Sequence, residues 1–140
     1  MKTGRARGSV SVEVALLIPV FILVAAMFTA SWRVWWAKAQ VQAAAQAGAR
    51  AASTRLDVKG ASAVVDQVVS ADLATVGLHC ADISRVDDLA AVALPVGVPG
   101  TVSVSISCKV ALGDLLLPGL PGSITVQGQG REAIDVFRRR

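Results

Sequence analysis

The chain has 140 residues, 54% of them hydrophobic, and its formal net charge is +4 at neutral pH. That length leaves room for one small folded domain beside a membrane segment. The basic residues are divided between the N-terminus, the region after the apolar run and the last three positions, so they form no basic stripe of the kind that binds nucleic acid. One histidine, no tyrosine and scattered acidic residues provide no acid-base pair, so neither an enzyme nor a catalytic residue is predicted. The glycines lie among prolines in turns, which predicts no phosphate-binding loop and no cofactor.

The most informative stretch is an apolar run that follows a basic leader. Between Glu13 and Arg33 lie nineteen positions without a charged residue, enough for a helix to cross the hydrocarbon core of a bilayer. Trp32, Trp35 and Trp36 close the run, and their amphipathic rings are expected at the membrane interface. The sequence therefore predicts a transmembrane helix.

A cleaved secretory signal peptide is the alternative explanation of this stretch, since it also begins basic and becomes apolar. Glu13 stands between the two parts, where a signal peptide gains nothing from an acid. Phe28 interrupts the small-x-small pattern that would end at Ala30. These two residues favour a retained membrane helix. A carboxylate near the end of such a helix is costly to hold away from water and is usually paired or functional.

The residues around this carboxylate carry a recognisable motif, RGSVSVEVALLIPV at positions 7–20. The motif resembles the cleavage site of type IV prepilins. In detail it resembles the start of TadE-like proteins, the small pseudopilins of tight-adherence (Flp) pilus systems. The resemblance implies four roles: Gly8 is the last leader residue, Ser9 the mature N-terminus, Glu13 the assembly glutamate and Pro19 the helix proline.

The sequence departs from the family's pattern at one position. The resemblance also extends to the other end of the chain. Val14 follows the glutamate, where an aromatic residue is frequent in the family. Near the C-terminus, ITVQGQGREAIDVFR at positions 124–138 resembles the family's closing strand and its charged tail. The middle of the chain carries no such likeness.

The resemblance implies a structural or assembly component of a type IV-like pilus, a pseudopilin or minor pilin that is cleaved after Gly8 and assembles through its N-terminal hydrophobic helix. Its partners are then the cell membrane, prepilin peptidase, other pilin or pseudopilin subunits and the pilus assembly machinery. Cleavage creates an amino group at Ser9, with a pKa of about 8, which can pair with the Glu13 carboxylate of a neighbouring subunit. The alternative is an uncleaved, single-pass, membrane-anchored accessory protein of another envelope complex.

The two cysteines, Cys80 and Cys108, predict one disulfide and place the region after the membrane segment outside the cytoplasm. They lie equally far in sequence from Leu94, so a hairpin folded about that residue would bring them opposite one another as a cross-strand pair. His79 beside Cys80 does not complete a ligand set, so no metal site is predicted. The basic leader favours a cytoplasmic N-terminus, in agreement with this placement of the cysteines.

Helix-forming residues continue beyond the tryptophans and predict one helix from Val10 to about Ala52. Small residues recur at helical spacing along its second half: Val41, Ala44, Ala45, Gly48, Ala51 and Ala52. Packing on the chain's own domain and packing on the helices of other subunits would both produce this stripe, so both interpretations stay open at this point.

The remaining segments predict a second helix and three strands. The helix follows an N-cap at Asp57 and ends near Gly77, and its apolar face consists of Ala61, Val64, Val65, Val68 and Val76. Strands are predicted at 83–88, 101–110 and 123–129, the second from a clear alternation of apolar and polar residues.

The predicted fold class is α+β, with a long N-terminal helix and a second helix packed on a small three-stranded antiparallel sheet. The first half of the long helix spans the membrane, and the resemblance supplies the pilin-like shape. The expected organisation is a basic leader at 1–8, a transmembrane segment at 9–36, an extracytoplasmic pilin-like domain at 37–130 and a charged tail at 131–140.

Overall fold

The computed structural model describes residues 9–115 and 121–137 of the chain. Its longest element is helix α1, Ser9–Ser53, which contains 45 residues and is about 67 Å long at about 1.5 Å per residue. The predicted continuation of one helix through the tryptophans is confirmed. Gly8 and the rest of the leader lie outside the described residues, as do positions 138–140.

Helix α2 spans Val58–Thr75 and begins at the predicted N-cap, because the side chain of Asp57 accepts a hydrogen bond from the backbone N–H of Gly60. Its buried residues follow a spacing of four: Ala61, Val65, Val69 and Leu73. The predicted face was therefore partly wrong, since Val64, Val68 and Val76 are only half-buried at its margins.

The end of α2 explains why the helix stops near the predicted glycine. Gly77 has a positive φ of 66°, a conformation that glycine adopts without steric cost. Its N–H donates to the carbonyl of Ala74, and the N–H of Leu78 donates to the carbonyl of Leu73, both at 3.1 Å. This is the Schellman arrangement, and the buried side chain of Leu78 supplies its hydrophobic contact.

Three antiparallel strands form one sheet in the order β1-β2-β3. They are β1, Asp82–Asp88, β2, Thr101–Ala111, and β3, Ser123–Ala133. A 3-10 helix, Ala90–Ala93, lies between β1 and β2, and a short helix α3, Leu112–Leu115, follows β2. The alternation predicted for β2 is confirmed, since every second side chain is buried: Val102, Val104, Ile106, Cys108 and Val110.

Strand β3 is longer than the sequence predicted. It continues through Ala133, so Arg131 and Glu132 pair with Ser103 and Val102 of β2 although the sequence assigned them to a charged tail. The following Ile134 is buried. The alternation was hidden because two consecutive inward positions of β3 are the glycines at 128 and 130, which carry no apolar side chain.

The second half of α1 and all of α2 cover the inner face of the sheet. The stripe of small residues on α1 is buried in this core, together with Ala37 and Ala49, except for Ala51, which is half-buried. A Cβ added at Gly48 would lie 3.2 Å from a methyl group of Val69 and 3.3 Å from one of Val65, both on α2. Of the two interpretations left open, packing on the chain's own domain is therefore the one that the structure shows for this stripe.

Two glycines bring β3 into backbone contact with α1. A Cβ added at Gly128 would lie 2.5 Å from the carbonyl oxygen of Val41, and one added at Gly130 would overlap the carbonyl oxygen of Ala45. Real Cβ atoms do not approach other atoms so closely, so only glycine permits this contact. The helix therefore lies directly on the strand along this part of α1.

Two glutamines of α1 cover the outer edge of β3 at the same level. The side-chain amide of Gln42 donates to the carbonyl of Gln129 at 2.5 Å and accepts from its N–H at 3.0 Å. Gln46 pairs in the same way with the backbone of Arg131, at 3.0 and 3.4 Å. Four helical residues and two strand residues both advance about 6 Å, so the two pairs match. Each side chain occupies backbone groups that a further strand would otherwise use.

We expect Gly130→Ala to lower the free energy of unfolding of the domain by about 3 kcal/mol, because the new methyl group meets backbone rather than a movable side chain. Gly48→Ala is the matched control. Its methyl group meets side-chain atoms of α2, and alanine gains about 1 kcal/mol of helix propensity. Denaturant unfolding of the full chain in detergent micelles, followed by circular dichroism, measures both. Equal stability of Gly130→Ala and wild type would contradict the close contact.

We expect the double substitution Gln42→Ala and Gln46→Ala to raise the amide hydrogen-exchange rates of Gln129 and Arg131 roughly fivefold, because each lost hydrogen bond contributes about 1 kcal/mol. Gln67→Ala, at an exposed position of α2, is the control and should leave these rates unchanged. Exchange measured by mass spectrometry on β3 peptides distinguishes the two. Unchanged exchange on β3 in the double variant would show that the glutamines do not protect this edge.

Candidate membrane and assembly segment

The first half of α1 is apolar and exposed on all sides. Its large hydrophobic side chains from Val14 to Phe28, together with the three tryptophans, are 36–73% exposed, whereas Val34 is half-buried and Ala37 is fully buried. The most apolar 18-residue window has a mean hydropathy of 2.5 with none of it buried. Among the described residues this is the one helix long and apolar enough to cross a membrane, judged by length and composition. A surface of this size and character requires apolar surroundings.

The polar groups of this segment are arranged as a membrane helix requires. The hydroxyls of Thr29 and Ser31 donate to the carbonyls of Ala25 and Met27, one turn earlier, at 2.8 and 2.9 Å. Both hydroxyls therefore satisfy their donor capacity within the helix. Pro19 lies inside α1 and has no N–H to donate, so one backbone bond of the ladder is missing there.

The predicted processing and assembly residues lie at the start of α1. Ser9 is its first residue and Glu13 is exposed one turn further on. The structure gives Glu13 no side-chain partner within this chain among the described residues. The helix dipole favours a carboxylate near its N-terminus, but a carboxylate in an apolar layer still needs a partner from elsewhere.

The three tryptophans mark the point where α1 passes from exposed to buried. Trp32 and Trp35 are 65% and 63% exposed, and their ring centroids lie 5.7 Å apart. Trp36 is less exposed, Val34 is half-buried against the core, and Ala37 is the first fully buried residue. The three rings therefore lie on one face of α1 at the junction between the apolar half of the helix and the folded domain.

Cys80 and Cys108 form a disulfide, with their Cα atoms 5.3 Å apart. The predicted cross-strand geometry was wrong, however. The strand register places Ile83, not Cys80, opposite Cys108, and Cys80 lies in the segment between α2 and β1. The bond therefore joins the segment after α2 to the middle strand. The prediction failed because the connection between β1 and β2 is not centred on Leu94.

His79 is exposed beside this disulfide. In the parts of the chain that the structure describes, no three histidine, cysteine, aspartate or glutamate side chains are grouped so that they could hold a metal ion.

One polar cluster that the sequence did not predict joins β1 to α2. Arg85 contacts Asp66, donates to Ser62 at 3.1 Å and lies 2.7 Å from Asp87. Burial raises the pKa of the Asp87 carboxyl, an effect that the charge of Arg85 opposes. The alternation of Arg85 and Asp87 on one face of β1 was the available signal. With one cation between two acids, the cluster has the composition of a structural ion-pair network.

Together these features define a class of protein, in which one candidate membrane helix near the N-terminus continues into a small α+β domain. Residues 8–50 match the family model described as TadE-like protein. The TadE-like resemblance predicted from the sequence is thereby confirmed for this segment, which begins at Gly8 and ends in the buried half of α1. The match indicates a role in a tight-adherence pilus system, and the family is one of structural pilus components. No curated protein and no solved structure matches the chain.

Proposed function

We propose that the chain is a structural or assembly subunit of a tight-adherence pilus, a pseudopilin or minor pilin anchored by the first half of α1. The observation that carries this proposal is the division of one continuous helix into two halves. The apolar half is exposed on every side, while the other half is buried in the chain's own domain. The TadE-like match covers both halves up to residue 50.

In this proposal prepilin peptidase cleaves the leader after Gly8. The new amino group then belongs to Ser9, the first residue of α1, and Glu13 is the fourth residue after it. These residues are about 6 Å apart along the helix axis. An amine of one subunit therefore meets the Glu13 carboxylate of the next when their helices are displaced by about 6 Å along the axis. The pairing offsets the cost of two charges in an apolar layer.

The remaining predicted features fit the same arrangement. In the proposal, residues 9–36 span the cell membrane with the tryptophans at the outer interface. The domain that follows lies outside the cytoplasm, where its disulfide is stable. Its partners are prepilin peptidase, other pilin or pseudopilin subunits and the assembly machinery. The domain acts by packing and contains no catalytic group in this proposal.

The N-terminus of the mature protein tests the cleavage. We expect the chain, purified from membranes of cells that contain its pilus system, to begin at Ser9 when its intact mass and N-terminal peptide are measured. Gly8→Val should block the cut, while Gly4→Val, inside the leader, should not. A functional protein that still carries residues 1–8 would instead favour the uncleaved, membrane-anchored accessory protein of another envelope complex.

The role of Glu13 is tested separately. We expect Glu13→Gln to insert into the membrane normally but to enter pili or the assembly complex at least tenfold less, because the neutral amide cannot pair with an ammonium group, a loss of about 1.4 kcal/mol or more. Arg33→Gln, which removes one charge at the other end of the same segment, is the control. Copurification with the other subunits gives the measurement. Wild-type incorporation of Glu13→Gln would disprove the pairing.

A further inference from the structure

The structure relates each level of the sheet to a level of α1, and therefore to the membrane in which α1 is proposed to lie. Gly128 packs on Val41 and Gly130 packs on Ala45, so β3 runs in the same direction as α1 and nearly parallel to it. Ser123, the first residue of β3, precedes Gly128 by a distance of about 16 Å at about 3.3 Å per residue.

The same distance can be measured along the helix. At about 1.5 Å per residue, 16 Å leads from Val41 back to about residue 31 of α1. The twist of the strand shortens this distance somewhat, so the start of β3 lies at about the level of residues 31–34. Two observations agree with that estimate. Val34 and Ile124 are both half-buried against the core, and Lys38 and Gln127 line one surface groove.

Trp32, Trp35 and Trp36 lie at about this level of α1. The end of the sheet there consists of α3, which contacts α1, and of Pro121 and Gly122, which lead into β3. The N–H of Leu112 donates to the carbonyl of Gly122 at 3.0 Å and closes this end. The domain therefore extends down beside the helix as far as the tryptophans.

We propose that this end of the domain, formed by α3 with Pro121 and Gly122, rests in the lipid headgroup layer. The proposal depends on α1 spanning the membrane, as proposed above. The headgroup region is about 5–7 Å thick on each side of the hydrocarbon core, so with the tryptophans at the interface the surface at their level contacts lipid. The partner that this end of the domain fits is a phospholipid surface.

Two cations near this end suit such a surface. Lys38 is exposed on α1, and Lys109, exposed on β2, pairs with Thr125 two residues from the start of β3. Cations at this height can reach lipid phosphates. Asp114 is the exposed acid of α3. In this proposal the domain lies against the membrane surface. It must move away from that surface when the subunit enters an assembly.

Site-specific fluorescence tests the contact in the full chain. Both native cysteines are in the disulfide, so one added cysteine can be labelled selectively. We would label Asp114→Cys and, as a second position at the same end, Pro121→Cys. Asp135→Cys, beyond the distal end of β3, is the control outside the membrane, and Val24→Cys is the control within it. Each protein is reconstituted in phosphatidylcholine-phosphatidylglycerol vesicles with spin labels on the headgroups or the acyl chains.

We expect headgroup spin labels to quench the fluorophores at 114 and 121 at least threefold more than the fluorophore at 135, and acyl-chain labels to quench the one at 24. If 114 and 121 behave like 135 while 24 is quenched, the seating of the domain is wrong and the spanning helix stands. If the fluorophore at 24 is not quenched by acyl-chain labels, the proposed spanning helix is wrong. The proposed contact of the domain with the headgroup layer is then wrong as well.

Discussion

The contact between α1 and β3 is the interaction on which the rest of the domain depends. The largest fully buried side chains are Ile106, valines and a cysteine, so the described core contains no aromatic ring that could hold separate elements together. The elements are held together instead by the close approach of their backbones. Gly128 and Gly130 let the backbone of β3 lie on the backbone of α1, and close packing of many small groups replaces the contribution of a few large ones.

Because α1 belongs to both the candidate membrane segment and the core, the orientation of the domain is coupled to that of this segment. No flexible linker separates the two, since the helix continues without interruption from Ser9 to Ser53. A tilt or axial shift of the membrane segment therefore moves the whole sheet. The disulfide and the Arg85 cluster fasten the far side of the sheet and α2 in the same unit. Force applied to the helix is transmitted directly to the domain.

The elements predicted correctly from the sequence are those in which the type of residue reflects its position in the fold. Strand β2 was recognised because its inward residues are all apolar, and the start of α2 because Asp57 is a typical capping residue. Strand β3 was cut short because glycines occupy its inward positions, and an absent side chain gives no periodic signal. The glutamines at 42 and 46 look like ordinary exposed residues until the strand beside them is known.

Other features could not be predicted from the sequence because they depend on the strand register or on which element packs against a given face. The equal distances of the two cysteines from Leu94 did not reveal that the hairpin is centred elsewhere. The small stripe on α1 was ambiguous because burial by any partner selects the same residues. The TadE-like segment itself was recognisable, since its motif is local and precedes an apolar run.

Burial of the small stripe also limits how copies of the chain can associate. That stripe is occupied by the sheet and α2, so it is not available to another subunit. Among the side chains of α1 that the structure describes, the large exposed apolar ones lie between Val14 and Trp36. In lipid, association of such helices gains little from hydrophobicity and must come from close packing and from polar groups. The carboxylate of Glu13 borders that surface, and in the proposed assembly its partner is an amine from a neighbouring chain. In that proposal the same helix is stored as a monomer in the membrane and also determines a defined axial stagger between assembled subunits.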